Sequence, residues 1–179
     1  TLRDNPSTSI VIAWNQISGT AAAVFYDAVD HGSNAHLYTH SREVDRIVFA
    51  KGMNNHFCRL SGLQPNTVYY FLLQDNNSTS QRYSFKTAPA TANSRLSFLA
   101  GGDSRNNKIQ RLNANKIVAK TRSNAVLFGG DMTSGDSDAE WREWFDDWQA
   151  TISPDGRMTA IVAARGNHEW SNLSIYDLF

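Results

Sequence analysis

Asn124-Ala125-Val126-Leu127-Phe128-Gly129-Gly130-Asp131 decides the fold: an apolar run of strand length stops at two glycines and a carboxylate. The same grammar stands on either side of it. Arg95–Ala100 (RLSFLA) runs into Gly101-Gly102-Asp103, and Thr159–Ala164 (TAIVAA) runs into Arg165-Gly166-Asn167-His168-Glu169. From Lys108 to Thr121, Ile109, Leu112, Ile117 and Val118 form an imperfect apolar stripe at helical spacing. Ser137-Asp138-Ala139-Glu140 has the S-x-x-E form of a capping box. The helix it opens sets Trp141, Trp144, Phe145 and Trp148 at i, i+3, i+4 and i+7, which reads as a buried face. Asp138, Glu140, Glu143, Asp146 and Asp147 then read as its solvated side. Strand, helix, strand, helix, strand predicts a parallel sheet with right-handed crossovers.

Parallel strands bring their carboxyl ends to one edge of the sheet, where ligands of open α/β sheets bind. Glycine there permits a sharp turn and close approach of the backbone to a ligand. A single Gly-Asp after a strand is commonly just a turn. Three such ends in register gather Asp103, Asp131, the amide of Asn167 and the imidazole of His168 from segments far apart in sequence. Hard oxygen donors with imidazole suit Mn, Fe, Zn or Mg. A carboxylate can also bridge two cations about 3.5–4 Å apart, a spacing that serves phosphoryl displacement. The three ends read as a metal site.

Residues 1 to about 88 have another grammar. Ser9–Asn15, Ala23–Asp27, Arg46–Ala50, Phe57–Leu60, Thr67–Gln74 and Gln81–Thr87 are short β-branched and aromatic runs. Turn clusters separate them, among them Asp30–Asn34, Gly52–Asn55 and Asp75–Ser78. This predicts an antiparallel sandwich. The small, polar stretch Ala88–Ser94 reads as a linker, giving domains 1–88 and 95–179. Cys58 is the single cysteine, so no internal disulfide forms; between Phe57 and Leu60 it reads as a buried thiol. His31, His36, His40 and His56 lack the spacing and flanking carboxylates of a zinc site and read as solvated.

Composition narrows the function classes. The 179 residues hold 17 Lys+Arg against 17 Asp+Glu, which removes the basic footprint of a nucleic-acid binder. No run approaches the roughly 20 apolar residues of a membrane helix. Five Trp and 41% hydrophobic residues are enough to build a core.

Two resemblances sharpen the reading. Leu63-Gln64-Pro65-Asn66-Thr67-Val68-Tyr69 resembles the L-x-P-x-T-x-Y stretch of fibronectin type III domains, where the Tyr locks a loop to the next strand. The ordered blocks G-D-S, G-G-D and G-N-H-E resemble the first three of the calcineurin-like metallophosphoesterases. With a fibronectin-like sandwich in front, the whole is similar to the purple acid phosphatase branch. The expected fold is therefore multi-domain: an all-β sandwich followed by the first half of an α/β metallophosphoesterase domain.

The resemblance implies a phosphoester hydrolase with two divalent or trivalent metal ions and a metal-bound hydroxide as nucleophile, acting on a monoester or diester. Asp103 would ligate the first metal, Asp131 would bridge both, and Asn167 would ligate the second and touch the phosphate. His168 would lie near Asp103 and the leaving group as a phosphate contact or proton donor, and Glu169 completes the motif without an assigned role. An extracellular or periplasmic location follows from the same resemblance.

The departures are as informative. Ser134 stands where purple acid phosphatases carry the Tyr that ligates ferric iron, and Arg105 stands where other branches place a metal-binding His. Arg105 is a candidate phosphate clamp, set against the plainer reading of a salt-bridged or solvated arginine. The family's later histidine and G-H-x-H block have no counterpart, since His168 is the only histidine beyond residue 56. The 179 residues are therefore expected to be a truncated phosphoesterase and a weak metal binder without turnover. The competing reading is a non-catalytic module, its sandwich binding carbohydrate or protein beside a degenerate α/β remnant.

Overall fold

The computed structural model describes residues 1–179. The first part holds seven strands: β1 (Ser9–Asn15), β2 (Ala23–Asp27), β3 (His40–Glu43), β4 (Arg46–Ala50), β5 (Met53–Ser61), β6 (Val68–Gln74) and β7 (Tyr83–Lys86). They form two antiparallel sheets, ordered β1-β5-β4 and β3-β2-β6-β7. Inward residues of both sheets close one core: Ile10, Ile12, Val24, Cys58, Leu60, Leu63, Tyr69, Phe71 and Phe85. Tyr69 stacks on Phe85 at 5.7 Å, and its hydroxyl accepts the Gln64 N–H at 2.9 Å. The L-x-P-x-T-x-Y stretch thus locks its loop as expected. Burial pushes the Cys58 thiol up to about 12, as befits a packing residue.

Three details differ from the sequence reading. Strand β5 begins at Met53 rather than Phe57. The turn is only Lys51-Gly52, both in the left-handed region (φ +55° and +66°), as a two-residue hairpin demands. Asn55 then continues the strand and donates to the carbonyls of Val48, Ala50 and Met53. Strand β3 (HSRE) is an exposed, polar edge strand without alternation to announce it. His56 is not solvated: it is 8% exposed, packs against Trp14, and neither ring nitrogen has a partner. The strand period explains this, since His56 shares the inner face with Cys58 and Leu60. Of the others, His36 and His40 are exposed, and His31 lies 3.5 Å from Asp27.

The second part reads β8 (Phe98–Gly101), α1 (Lys108–Thr121), β9 (Ala125–Phe128), α2 (Asp138–Trp148), β10 (Ala160–Ala163) and α3 (Asn172–Leu178). The strands form a parallel sheet ordered β10-β9-β8, with the strand of the opening motif at its centre. The capping box at Ser137 and Glu140 is present, and Trp141 and Trp144 are fully buried. They join Val118, Val126, Phe128, Met132, Ile161, Leu178 and Phe179 in a second core, to which the hairpin tip contributes Met53.

Helix α1 corrects its predicted stripe. Ile109 and Ile117 are 72% and 56% exposed, whereas Arg111, Asn115 and Val118 are buried. The face that docks is polar: Arg111 Nε donates to Asp147 Oδ2 at 2.9 Å, and Asn115 donates to the Asp147 carbonyl at 2.8 Å. Asp147 is therefore a buried partner and no part of a solvated acidic face. Helix α3 has no counterpart in the sequence pattern; Ser171 caps it and its buried Leu178 anchors it. The two parts are also stitched together, with Ser84 exchanging backbone bonds with Gly156 and Met158 (3.0 and 2.8 Å). No helix is long and apolar enough to cross a membrane.

Candidate metal centre

Gly101, Phe128 and Ala163 are register neighbours, so the three chains leave the sheet side by side. They continue to bond beyond it: the Asp103 N–H reaches the Gly130 carbonyl at 2.8 Å, and the Arg105 N–H reaches the Asp131 carbonyl at 2.9 Å. Glycine is required at this crossing. A Cβ on Gly130 (φ +93°) would lie 2.2 Å from the Gly166 nitrogen, and one on Gly166 would lie 1.9 Å from Asp131 Oδ1. Asp103, Arg105 and Asp131 themselves hold φ of +52°, +39° and +55°. Non-glycine residues in this region store strain, and such strain clusters at sites where side chains must be aimed.

The carboxylates converge. The Arg105 guanidinium lies between them, 2.6 Å from Asp103 Oδ1 and 3.4 Å from Asp131 Oδ2. Asp131 is mostly covered, its side chain 11% exposed, whereas Asp103 is open at 68%. The second oxygen of Asp131 accepts the His168 N–H at 3.0 Å. His168 Nδ1 lies 2.7 Å from the Ser134 carbonyl, which can only accept, so the proton sits on Nδ1. In the neutral ring Nε2 is then left as the lone pair. His168 bonds to the Asp131 loop, while Asp103 bonds to Arg105. Asn167 is exposed at the same edge.

Two residues that the sequence reading left without a site role hold this edge in place. Glu169 is 1% exposed and accepts the N–H groups of Asp131 (2.9 Å), Met132 (2.7 Å), Thr133 (3.4 Å) and Gly166 (2.8 Å). One buried carboxylate thereby clamps the second strand end to the third through charge-assisted bonds. The G-N-H-E block spelled the residue, but nothing in a linear motif reveals which amides it meets. Glu140, read as a cap, also accepts from Ser134 and Gly135 N–H (3.2 Å each) and from Asn106 (3.0 Å). Burial pushes its carboxyl up, but the bonds from Ser137, Asn106 and Ser134 outweigh this and hold it at about 2.

The donors fit a hard divalent cation in kind. Asp103 and Asp131 come close enough to share one positive group, and Gly166 leaves room for Asp131 to reach it. In number they fall short, since no three His, Cys, Asp or Glu side chains gather at metal-binding distance.

Comparisons with known proteins agree on the first part of the chain. Residues 1–87 match the family described as Purple acid Phosphatase, N-terminal domain. No curated protein matches the chain in sequence. Among solved structures, it superposes on purple acid phosphatase PPD1 from yellow lupin (Lupinus luteus) seeds with a TM-score of 0.68 and 16% identity. That match covers 93% of this chain and 34% of the lupin protein. It also superposes on PhoD with a TM-score of 0.66 and 15% identity, covering 94% of this chain and 38% of PhoD. The chain thus spans little more than a third of either neighbour, and at such identity the likeness is one of fold.

Proposed function

With residues 1–87 belonging to the purple acid phosphatase N-terminal domain family, we propose that this chain carries part of the site of a metal-dependent phosphoester hydrolase. The supporting observation is the convergence of Asp103 and Asp131, from separate parallel strands, on one positive group, with the His168 backbone tied to Asp131. In this reading residues 1–88 are a fibronectin type III-like sandwich and residues 95–179 the first half of a metallophosphoesterase domain.

Asp103, Asp131 and Asn167 would hold two cations from among Fe, Mn, Zn and Mg. Bound there, the cations would supply a nucleophile from water near neutral pH and offset the charge that develops on the phosphoryl group. The chain's own residues do the rest. Glu169 fixes Asp131, whose backbone conformation aims its carboxylate at the shared position. Arg105 lies where a cation between the carboxylates would sit; displaced, its planar fork suits a phosphate. His168, oriented through Nδ1 by the Ser134 carbonyl, presents Nε2 for phosphate contact or for proton transfer to the leaving group.

Two protein donors per cation are fewer than such sites use, so turnover requires further ligands from outside these residues. The substrate is a phosphomonoester or diester, nucleic acid is not the expected partner, and the family points to an extracellular or periplasmic location. The test is hydrolysis of p-nitrophenyl phosphate with Mn or Zn, by residues 1–179 and by the longest reading frame that contains them. The longer protein should be active and lose activity on Asp131→Asn, and the 179 residues alone should not turn over. Activity that survives Asp131→Asn would remove Asp131 from the bridging role.

A further inference from the structure

The loop that follows Asp131 is pinned at both ends. Glu169 holds its start through the amides of Asp131, Met132 and Thr133. Its far end, Asp136, is 8% exposed and holds a left-handed backbone (φ +57°). There Trp141 Nε1 donates to Asp136 Oδ1 at 2.7 Å, and Ser174 Oγ donates to the same carboxylate at 2.8 and 3.0 Å. The remaining partner comes from the other part of the molecule. Lys51, at the tip of the β4–β5 hairpin, places Nζ 3.1 Å from Asp136 Oδ1 and 2.6 Å from the Asp136 carbonyl.

We propose that Lys51 is a positioning residue, through which the sandwich holds loop 131–136 and the metal and phosphate groups attached to it. Lys51 brings the only cation bonded to the buried Asp136 carboxylate. Its side chain is 19% exposed, so its charge is placed by the hairpin rather than by solvent. The tip is itself fitted to α2: a Cβ on Gly52 would lie 2.1 Å from an Arg142 nitrogen, so the two-residue turn permits the approach. Between the two anchors the loop is short. The Asp136 N–H bonds to Thr133 Oγ1 at 3.1 Å, and the intervening Ser134 carbonyl orients His168. Glu140 supports the middle of the loop through the Ser134 and Gly135 N–H groups, so releasing Asp136 removes the support just beyond the Ser134 carbonyl that orients His168 and leaves Asp131 held from the Glu169 side alone. The β4–β5 hairpin becomes a strut, and the family's N-terminal sandwich gains a role in the site that its distance from the carboxylates would not indicate.

This inference rests on the phosphoesterase reading for its purpose, but its mechanics can be tested separately. Lys51→Met, Lys51→Arg and Asp136→Asn are compared with wild type by amide hydrogen exchange and by Mn titration. In Lys51→Met the amides of residues 131–136 should exchange at least about tenfold faster, while β6 amides facing β2 and β7 keep their protection. Lys51→Arg should restore wild-type protection, and Asp136→Asn, which keeps an acceptor without the charge, should fall between. Mn affinity should fall with loop protection across the series. Unchanged loop exchange in Lys51→Met, or equal loosening of loop and sandwich, would overturn the strut. If wild type binds no Mn, the metal reading fails while the exchange result still decides the strut. Should Lys51→Met not fold, Asp136→Asn and Lys51→Arg supply the same contrast.

Discussion

The two parts of the molecule solve packing differently. The sandwich closes both inner faces on each other around an apolar core. The parallel sheet is covered unevenly: on the face where Ala125 is buried and Ala160 packs against the sandwich core, Leu127 and Val162 remain 42% and 39% exposed and Phe98 50% exposed. Parallel sheets ordinarily have both faces covered. The α/β part also spends its special features differently. Its helix docking depends on a buried ion pair, and four of its five left-handed non-glycine residues, Asp103, Arg105, Asp131 and Asp136, lie in the loops after the strand ends. The sandwich is built to persist; the α/β part is built to aim side chains.

That contrast predicts unequal damage. The largest effect is expected from Arg111→Leu, which leaves Asp147, 5% exposed beneath α1, with only the more distant Lys108 Nζ at 3.6 Å as a cationic partner. Removing one partner of a buried pair costs about 3–5 kcal/mol. Urea unfolding followed by fluorescence of Trp141, Trp144 and Trp148 should show the α/β part melting early while sandwich amides stay protected. A single coincident transition would deny the two parts their separate character.

Glu169→Gln comes next. An amide has one acceptor oxygen for four converging N–H groups and turns a donor toward them. The expected loss is about 1–3 kcal/mol, confined to the α/β part. Within the sandwich, Tyr69→Phe leaves the Gln64 N–H without its partner and should cost about 0.5–1.5 kcal/mol in chemical denaturation.

These residues also mark how far a linear reading goes. The β-α-β-α-β order, the boundaries of α1, the capping box and the Tyr69 lock were legible, because periodicity and turn chemistry are local. Asp103, Asp131, Asn167 and His168 were brought to one edge by topology alone. The Arg111–Asp147 pair was not legible, since a buried charge looks like a surface charge until its partner arrives from another helix. His56 failed for the converse reason: flanking Asn54 and Asn55 made a strand interior look like a turn. Glu169, Lys51 and Asp136 act through backbone amides or across the two parts, and no spacing rule encodes that.

The smallest effects are on pH dependence, and the two parts again differ. Burial holds His56 below its usual 6.5. The unfolded chain then takes up a proton before the native one, so the His56 contribution is complete above about pH 6.5 and declines as pH falls below it. Stability–pH curves of His56→Leu should lose that slope. Glu140 works at lower pH: its carboxyl is depressed to about 2, so its contribution persists above about pH 4.5 and is lost as pH falls toward 2. Glu140→Gln should flatten the acid limb reported by the α/β tryptophans and leave the His56 slope intact.

In the proposed function Asp103 and Asp131 converge to receive a cation whose place Arg105 takes. Mn titration of the 179-residue chain by electron paramagnetic resonance tests it most directly. Binding should be weak and saturable, lost in Asp131→Asn and strengthened in Arg105→Ala. Binding that is the same in wild type and Asp131→Asn would contradict it.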